Sequence, residues 1–288
     1  MSEAFDSSTA TGTGPVTPRT IERPPGRTPL IGDYEERCRT FTWDEARGWV
    51  DGLPDGCLNI AYEAVDRHAA SGLADQVALR FLDRTRPTEE LTYAGLRELT
   101  DAFAIALRTV GVRPGERVST LLNRSQALYV TALGALKNGS VYCPLFPAFG
   151  PEPVRERLEL GSVRVLVTDS EAYQRKVAPI RDSLTALEFI LIVDGSETAE
   201  AATPGSETPL SDSTLTWSET MAAATSVRRR DGFTITATRP QDPALLHFTS
   251  GTTGRPKGAV HVHEAVVAHH ATTRFALDLR PGGLLVHG

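Results

Sequence analysis

The sequence predicts an α/β fold with parallel sheets and flanking helices. Three observations carry this. Between Arg117 and Val193, short apolar runs alternate with helix-like stretches. Strands separated by helices of about 10–15 residues form βαβ units and a parallel sheet. Turn chemistry, such as Arg113-Pro114-Gly115-Glu116 and Asn138-Gly139, punctuates the alternation. Finally, 288 residues with 40% hydrophobic and 23% charged content suffice for a sizeable core.

Residues 1–29 are rich in Ser, Thr, Gly and Pro, so a mobile arm is expected over 1–33. The stretch Tyr34 to Asp51 carries Phe41, Trp43 and Trp49 and is expected to pack onto the main body. Val77–Leu82 reads as a strand with Glu90–Tyr93 as its partner. Leu96, Leu99, Phe103, Ala106, Leu107 and Val110 recur at helical spacing, and Gly111 supplies a C-cap. Strands are then expected at Arg117–Leu122, Val141–Phe146, Val163–Thr168 and Phe189–Val193. Helices are expected at Ser125–Lys137, Glu152–Leu160 and Glu171–Leu184. A Ser/Thr/Glu/Pro-rich run follows from Gly195, with a flexible connection expected over 195–240 and a single helical turn at Thr216–Thr220. The triplet Arg228-Arg229-Arg230 reads as a solvated linker or as a contact for a phosphate-bearing partner. Ala244–Phe248 is a last apolar segment, and Glu264–Leu277 a last helix.

A net charge of −6 gives no support for nucleic-acid or membrane-surface binding. No apolar run approaches the roughly 20 residues of a spanning helix, and the N-terminus lacks signal-peptide character. Cys38, Cys57 and Cys143 are scattered and odd in number. They suit a reducing cytoplasm and give neither a disulfide framework nor metal spacing. His261, His263, His269 and His270 lack a carboxylate or Cys at ligand spacing, so no protein-held metal is expected.

The chemistry concentrates in Leu246–Gly258, L-H-F-T-S-G-T-T-G-R-P-K-G. Six small residues, Thr249, Ser250, Gly251, Thr252, Thr253 and Gly254, follow the apolar segment. Glycines let backbone N–H groups approach phosphate oxygens closely. The hydroxyls add donors, and Lys257 adds a point charge. The alternative is a solvated Ser/Thr/Gly surface loop. A Walker A loop does not fit, because Pro256 stands where its second glycine belongs and Gly258 follows the lysine.

The order Thr249-Ser250-Gly251-Thr252-Thr253-Gly254-x-Pro256-Lys257 resembles the phosphate loop of the adenylate-forming, AMP-binding enzymes. Leu91-Thr92-Tyr93-Ala94-Gly95-Leu96 resembles the first core motif of that superfamily, with Gly95 in place of the usual acid, a change expected to be harmless on a surface. Ala135–Leu145 resembles the second. Three further segments are similar to acetyl-CoA synthetases: Leu58–Tyr62 with Asp66-Arg67-His68, Pro144–Glu152 with Val154 and Arg157, and Gly258–His263 with Ala268–Thr272. The resemblance implies an acetyl-CoA-synthetase-like N-terminal segment at 34–90 and a partial adenylation domain at 91–288.

It also implies an ATP-dependent acid–CoA ligase making acetyl-CoA, AMP and diphosphate through an acyl-adenylate, with ATP, Mg²⁺ and coenzyme A as cosubstrates. Thr249–Gly254 would cradle the β- and γ-phosphates. Thr252 or Thr253 would touch the Mg²⁺ shell, and Lys257 would neutralise the departing diphosphate. Arg175 and Lys176 fall where these synthetases meet the 3′-phosphate of coenzyme A; a helix-face charge pair explains them equally well. Lys257 reads alternatively as an ordinary surface lysine.

The acid and adenine pocket, the ribose-binding Asp, the hinge and the C-terminal domain with its lysine are expected downstream of Gly288. After Asp278–Gly282 these ligases continue with something like D-V-Y-W-C-T-A-D, whereas here Gly283-Leu284-Leu285-Val286-His287-Gly288 follows. A shifted frame of V-Y-W-C-T-A-D can be written that yields L-L-V-H-G and a stop, so a frameshifted, truncated and inactive chain is expected. A ligase for another short acid, such as propionate, and a non-catalytic nucleotide- or CoA-binding pseudoenzyme are the competing readings.

Overall fold

The computed structural model describes residues 28–82, 88–193, 214–249, 255–280, 282, 283 and 285. Two short capped helices begin it. Asp33 accepts from the Glu36 amide at the start of α1 (Tyr34–Thr40), and Thr42 from the Glu45 amide at the start of α2 (Trp43–Arg47). A π turn at Tyr62–Asp66 runs into α3 (Arg67–Ala70). Strands β1 (Val77–Phe81) and β2 (Glu89–Thr92) pair antiparallel as a separate two-stranded sheet. Thr92 then caps α4 (Tyr93–Thr109) by accepting from the Gly95 amide.

The expected alternation follows: β3 (Arg117–Leu121), α5 (Gln126–Lys137), β4 (Val141–Pro144), α6 (Pro151–Leu160), β5 (Val163–Asp169), α7 (Ser170–Ala172) and β6 (Phe189–Val193). The long helix expected over Glu171–Leu184 is instead α7, a π turn at Tyr173–Val177 and a 3₁₀ segment at Ala178–Ser183. Pro179 lies inside that span and cannot donate to a continuing α-helical ladder. The chain ends through β7 (Thr214–Thr216), α8 (Trp217–Asp231), β8 (Pro243–Thr249), β9 (Lys257–Val262) and α9 (Ala265–Ala276).

Seven strands form one sheet in the order β7-β6-β5-β3-β4-β8-β9, parallel except for the final antiparallel β8–β9 pair. Both faces are covered, as a parallel sheet requires. One face packs Phe103, Leu107, Val118, Val130 and Val165 beneath α4, α5 and α8. The other packs Leu121, Val154, Leu158, Leu166 and Val177 beneath α6 and the α7 region. Chain direction across the sheet reverses between β3 and β4, since β4 lies on one side of β3 and β5 on the other. Beyond the carboxyl ends of such strands is where open α/β sheets bind ligands.

Several expectations need correction. The span 195–240 is not a flexible connection throughout, because residues 214–231 form β7 and α8 where a single helical turn was expected. Trp217 stacks on Phe103 with ring centroids 5.5 Å apart. Arg228 reaches Asp101 at 3.0 Å, so the arginine triplet closes a packed helix and is not part of a linker. Basic residues there also suit the negative end of the helix dipole. Residues 1–27 of the expected arm lie outside the described residues, but 28–33 are held: the Leu30 amide donates to Asp278 Oδ1 at 2.7 Å. Gly95 is half-buried and not on an open surface; a Cβ there would meet Leu91 Cδ1 at 2.9 Å.

Candidate functional site

The sheet brings Thr249 and Lys257 together. Thr249 ends β8, Lys257 begins β9, and the two are cross-strand partners at the tip of the hairpin. The Thr249 hydroxyl points to the Lys257 carbonyl at a long 3.4 Å. Both residues are exposed. Gly258 allows this close pairing, since a Cβ would stand 2.9 Å from Leu246 Cδ1. Ser250, Gly251, Thr252, Thr253 and Gly254 lie outside the described residues. Strand β8, which ends at Thr249, lies two strands from β3 and beside β4. Exposed donors and an ammonium group at the end of a strand are chemistry for an anionic ligand.

Arg175 and Lys176 do not join that pair. Arg175 is exposed and bonds Glu171 one helical turn earlier at 2.6 Å. Such pairs contribute little. Lys176 is half-buried and donates to the Pro147 carbonyl, in the connection after β4. In that same connection Phe149 lies under the Arg157 guanidinium, 4.2 Å from its carbon. The segment Pro144–Glu152 and Lys176 are therefore neighbours at the carboxyl edge of the sheet.

The histidines separate by environment. His261 faces His247 and His269 with ring centroids 5.6 and 6.3 Å away. Burial, then the proximity of His261, lowers the pKa of His247. His270 lies against Trp49 at 5.8 Å. His263 is fully buried, and burial pushes its pKa down to about 4. Its Nδ1 accepts from the Ile60 amide at 3.1 Å. Among the described residues no three His, Cys, Asp or Glu are arranged to hold a metal. No helix among them is long and apolar enough to cross a membrane.

The model of the family described as "AMP-binding enzyme" matches residues 66–282. The chain belongs to the AMP-binding enzyme family. The chain is 36% identical over 251 residues to the acetyl-coenzyme A synthetase of Bacillus subtilis (strain 168), covering 87% of this chain and 40% of that protein. It is 28% identical to the acetyl-coenzyme A synthetase of Streptomyces coelicolor, with the same coverages. A crystal structure of a Brucella canis acyl-CoA synthetase superposes with a TM-score of 0.70 and 26% identity, covering 86% of this chain and 41% of that one. An anthranilate CoA ligase in complex with anthranoyl-AMP shares the fold, at a TM-score of 0.61 and 21% identity. The chain thus spans about 40% of the length of the curated relatives it matches.

Sequence reasoning singled out Thr249 and Lys257 through their motif. It missed that Lys257 starts a strand, and it missed the burial of His263. Alternation across Gly258, Val260 and Val262 was the available signal for the strand. A buried histidine whose partner is Ile60, 203 residues away, leaves no local signal.

Proposed function

We propose that this chain carries the phosphate-binding portion of an AMP-forming acid–CoA ligase of acetate type. Lys257 and Thr249, paired at the carboxyl end of β8, support this reading most directly. In it, Thr249–Gly254 surround the β- and γ-phosphates of ATP, and the Lys257 ammonium balances the charge that develops on departing diphosphate. Mg²⁺, when bound with ATP, would supply further charge neutralisation, with Thr252 or Thr253 touching its shell. Lys176, beside the Pro144–Glu152 segment, faces coenzyme A, and Arg175 approaches the same phosphate by leaving Glu171.

Acetate is favoured as the acid because the relatives at 36% and 28% identity are acetyl-coenzyme A synthetases. The reading has separable tests. ATP titrated into the purified 288-residue chain is expected to bind, and Lys257→Ala is expected to weaken it about tenfold or more, as loss of a charge-assisted contact does. Unchanged binding overturns the phosphate role. Acetate-dependent ATP–diphosphate exchange is expected to be absent from this chain alone. Clear exchange with acetate overturns the inactive reading, and exchange with propionate in its place overturns the choice of acid.

A further inference from the structure

The β8–β9 hairpin that carries Thr249 and Lys257 lies at the end of its sheet, with Leu246 and Phe248 of β8 packed against the core. One register pair, Tyr142 with Leu245, ties β8 to β4. The β3–β5 and β5–β6 contacts each run over five such pairs. Strand β9 is the sheet edge, and five of its six residues are exposed. Within the sheet, β9 is held by β8 alone.

The N-terminal segment holds the open end of that hairpin from both sides. Before β8, the Leu58 amide donates to the Thr238 carbonyl at 2.9 Å, and the Thr238 hydroxyl donates to the Leu58 carbonyl at 2.7 Å. After β9, the Ile60 amide donates to His263 Nδ1 at 3.1 Å. The Arg47–Glu264 ion pair and the Trp49–Phe275 edge contact at 5.4 Å fasten α9 to the same segment.

His263 is an unusual choice for this place. Accepting at Nδ1 as a neutral ring puts its proton on Nε2, and that buried nitrogen has no partner among the described residues. A leucine would bury without an orphaned N–H. The imidazole is explained by what its other nitrogen does, which is to satisfy Ile60.

We propose that His263 and Ile60 form a latch through which the N-terminal segment sets the tilt of the β8–β9 hairpin, making His263 a positioning residue for Lys257 and Thr249. The tip stands about six residues from the latch, roughly 20 Å along the strands. A tilt of about 5° at the base displaces the tip by nearly 2 Å over that length, and offsets of about 1 Å already disrupt catalytic geometry. The phosphate consequence rests on the function proposed above; the mechanical claim does not.

Amide hydrogen exchange on the 288-residue chain tests the latch without any ligand. His263→Leu keeps the bulk, removes the orphaned Nε2–H and leaves the Ile60 amide unpaired. Exchange in β8 and β9 is expected to speed about tenfold, the scale of one lost buried hydrogen bond, with β3, β5 and β6 unchanged. His263→Asn, which can place an oxygen near the Nδ1 position, is expected to restore protection. Unchanged β8 and β9, or equal acceleration across the whole sheet, overturns the latch. If His263→Leu does not fold, Trp49→Leu loosens the same clamp from the α9 side and is read by the same pattern. Diphosphate affinity is expected to fall in His263→Leu by about the same tenfold and to return in His263→Asn. Wild-type chain that binds no diphosphate sinks the phosphate reading, while the exchange pattern still decides the latch.

Discussion

Lys137 Nζ and Asp101 Oδ1 stand 2.7 Å apart, and the lysine side chain has no solvent exposure. The same ammonium bonds Asp66 Oδ1 at 3.0 Å, and Asp101 Oδ2 accepts from Arg228 Nε at 3.0 Å. Two carboxylates and two cations thus join the N-terminal segment, α4, α5 and α8. Burial raises the Asp66 pKa, and the lysine charge opposes that rise.

Lys137→Met is expected to destabilise the fold by about 3–5 kcal/mol, because it leaves Asp66 without its lysine and Asp101 with Arg228 alone. Urea unfolding of the variant checks this. A loss below about 1 kcal/mol would show that the quartet contributes no more than a surface pair.

Gly95→Glu is expected to stabilise by about 1 kcal/mol. Thr92 already caps α4 from the Gly95 amide. A glutamate at that third helical position can reach back to the Thr92 amide and complete the reciprocal pair. The flexible Leu91 side chain, 2.9 Å from the new Cβ, has to swing aside. A lower melting temperature would mean that it cannot.

Acid should loosen the protein through His263. Its pKa is about 4 in the fold against an ordinary 6.5. The unfolded chain therefore takes up a proton that the folded chain refuses between those values. The stability tied to the neutral ring is complete above pH 6.5 and falls as the pH drops toward 4, by on the order of 2 kcal/mol at pH 4.5. The Asp242 carboxylate acts the other way, favouring the charged ring. His68, His247 and His270 also have lowered values, so the measurement is the difference between wild type and His263→Asn in melts at pH 7 and 4.5. Parallel pH profiles in the two proteins would refute the assignment.

Thiol labelling at pH 8 should modify Cys38 first. It is exposed on α1, whereas Cys143 is buried with its thiol pushed up to about 12 by that burial. Thiolate is the reactive form, so Cys143 is expected to label only on unfolding. Modification of Cys143 in the folded chain would show that β4 opens.

The βαβ core was legible because β4 and β6 are short apolar runs, β5 is mostly apolar, and turn residues bound α5 and α6. Helix α8 was not: its buried residues are Met221 and Ala224, and Ser, Glu, Thr and Arg fill most of the rest of the helix, too few large apolar residues for the period to show. Pro179 was visible in the sequence, and its effect on the expected 171–184 helix was missed. At the site, the order of Thr249, Pro256 and Lys257 was legible as a motif. Their pairing across a hairpin had a local signal that was missed, whereas the bond from Lys176 to Pro147 and the latch at His263 depend on tertiary contacts that no local pattern encodes.

The latch also has a consequence for the order in which the protein is made. Leu58 and Ile60 leave the ribosome early, but their partners follow 180 and 203 residues later. At about 5–20 residues per second, that interval is roughly ten to forty seconds. Through it Phe41 and Trp49 have no α9 to cover them. A stretch synthesised early is thus among the last to find its place, and in that interval a nascent-chain chaperone has an aromatic segment to hold.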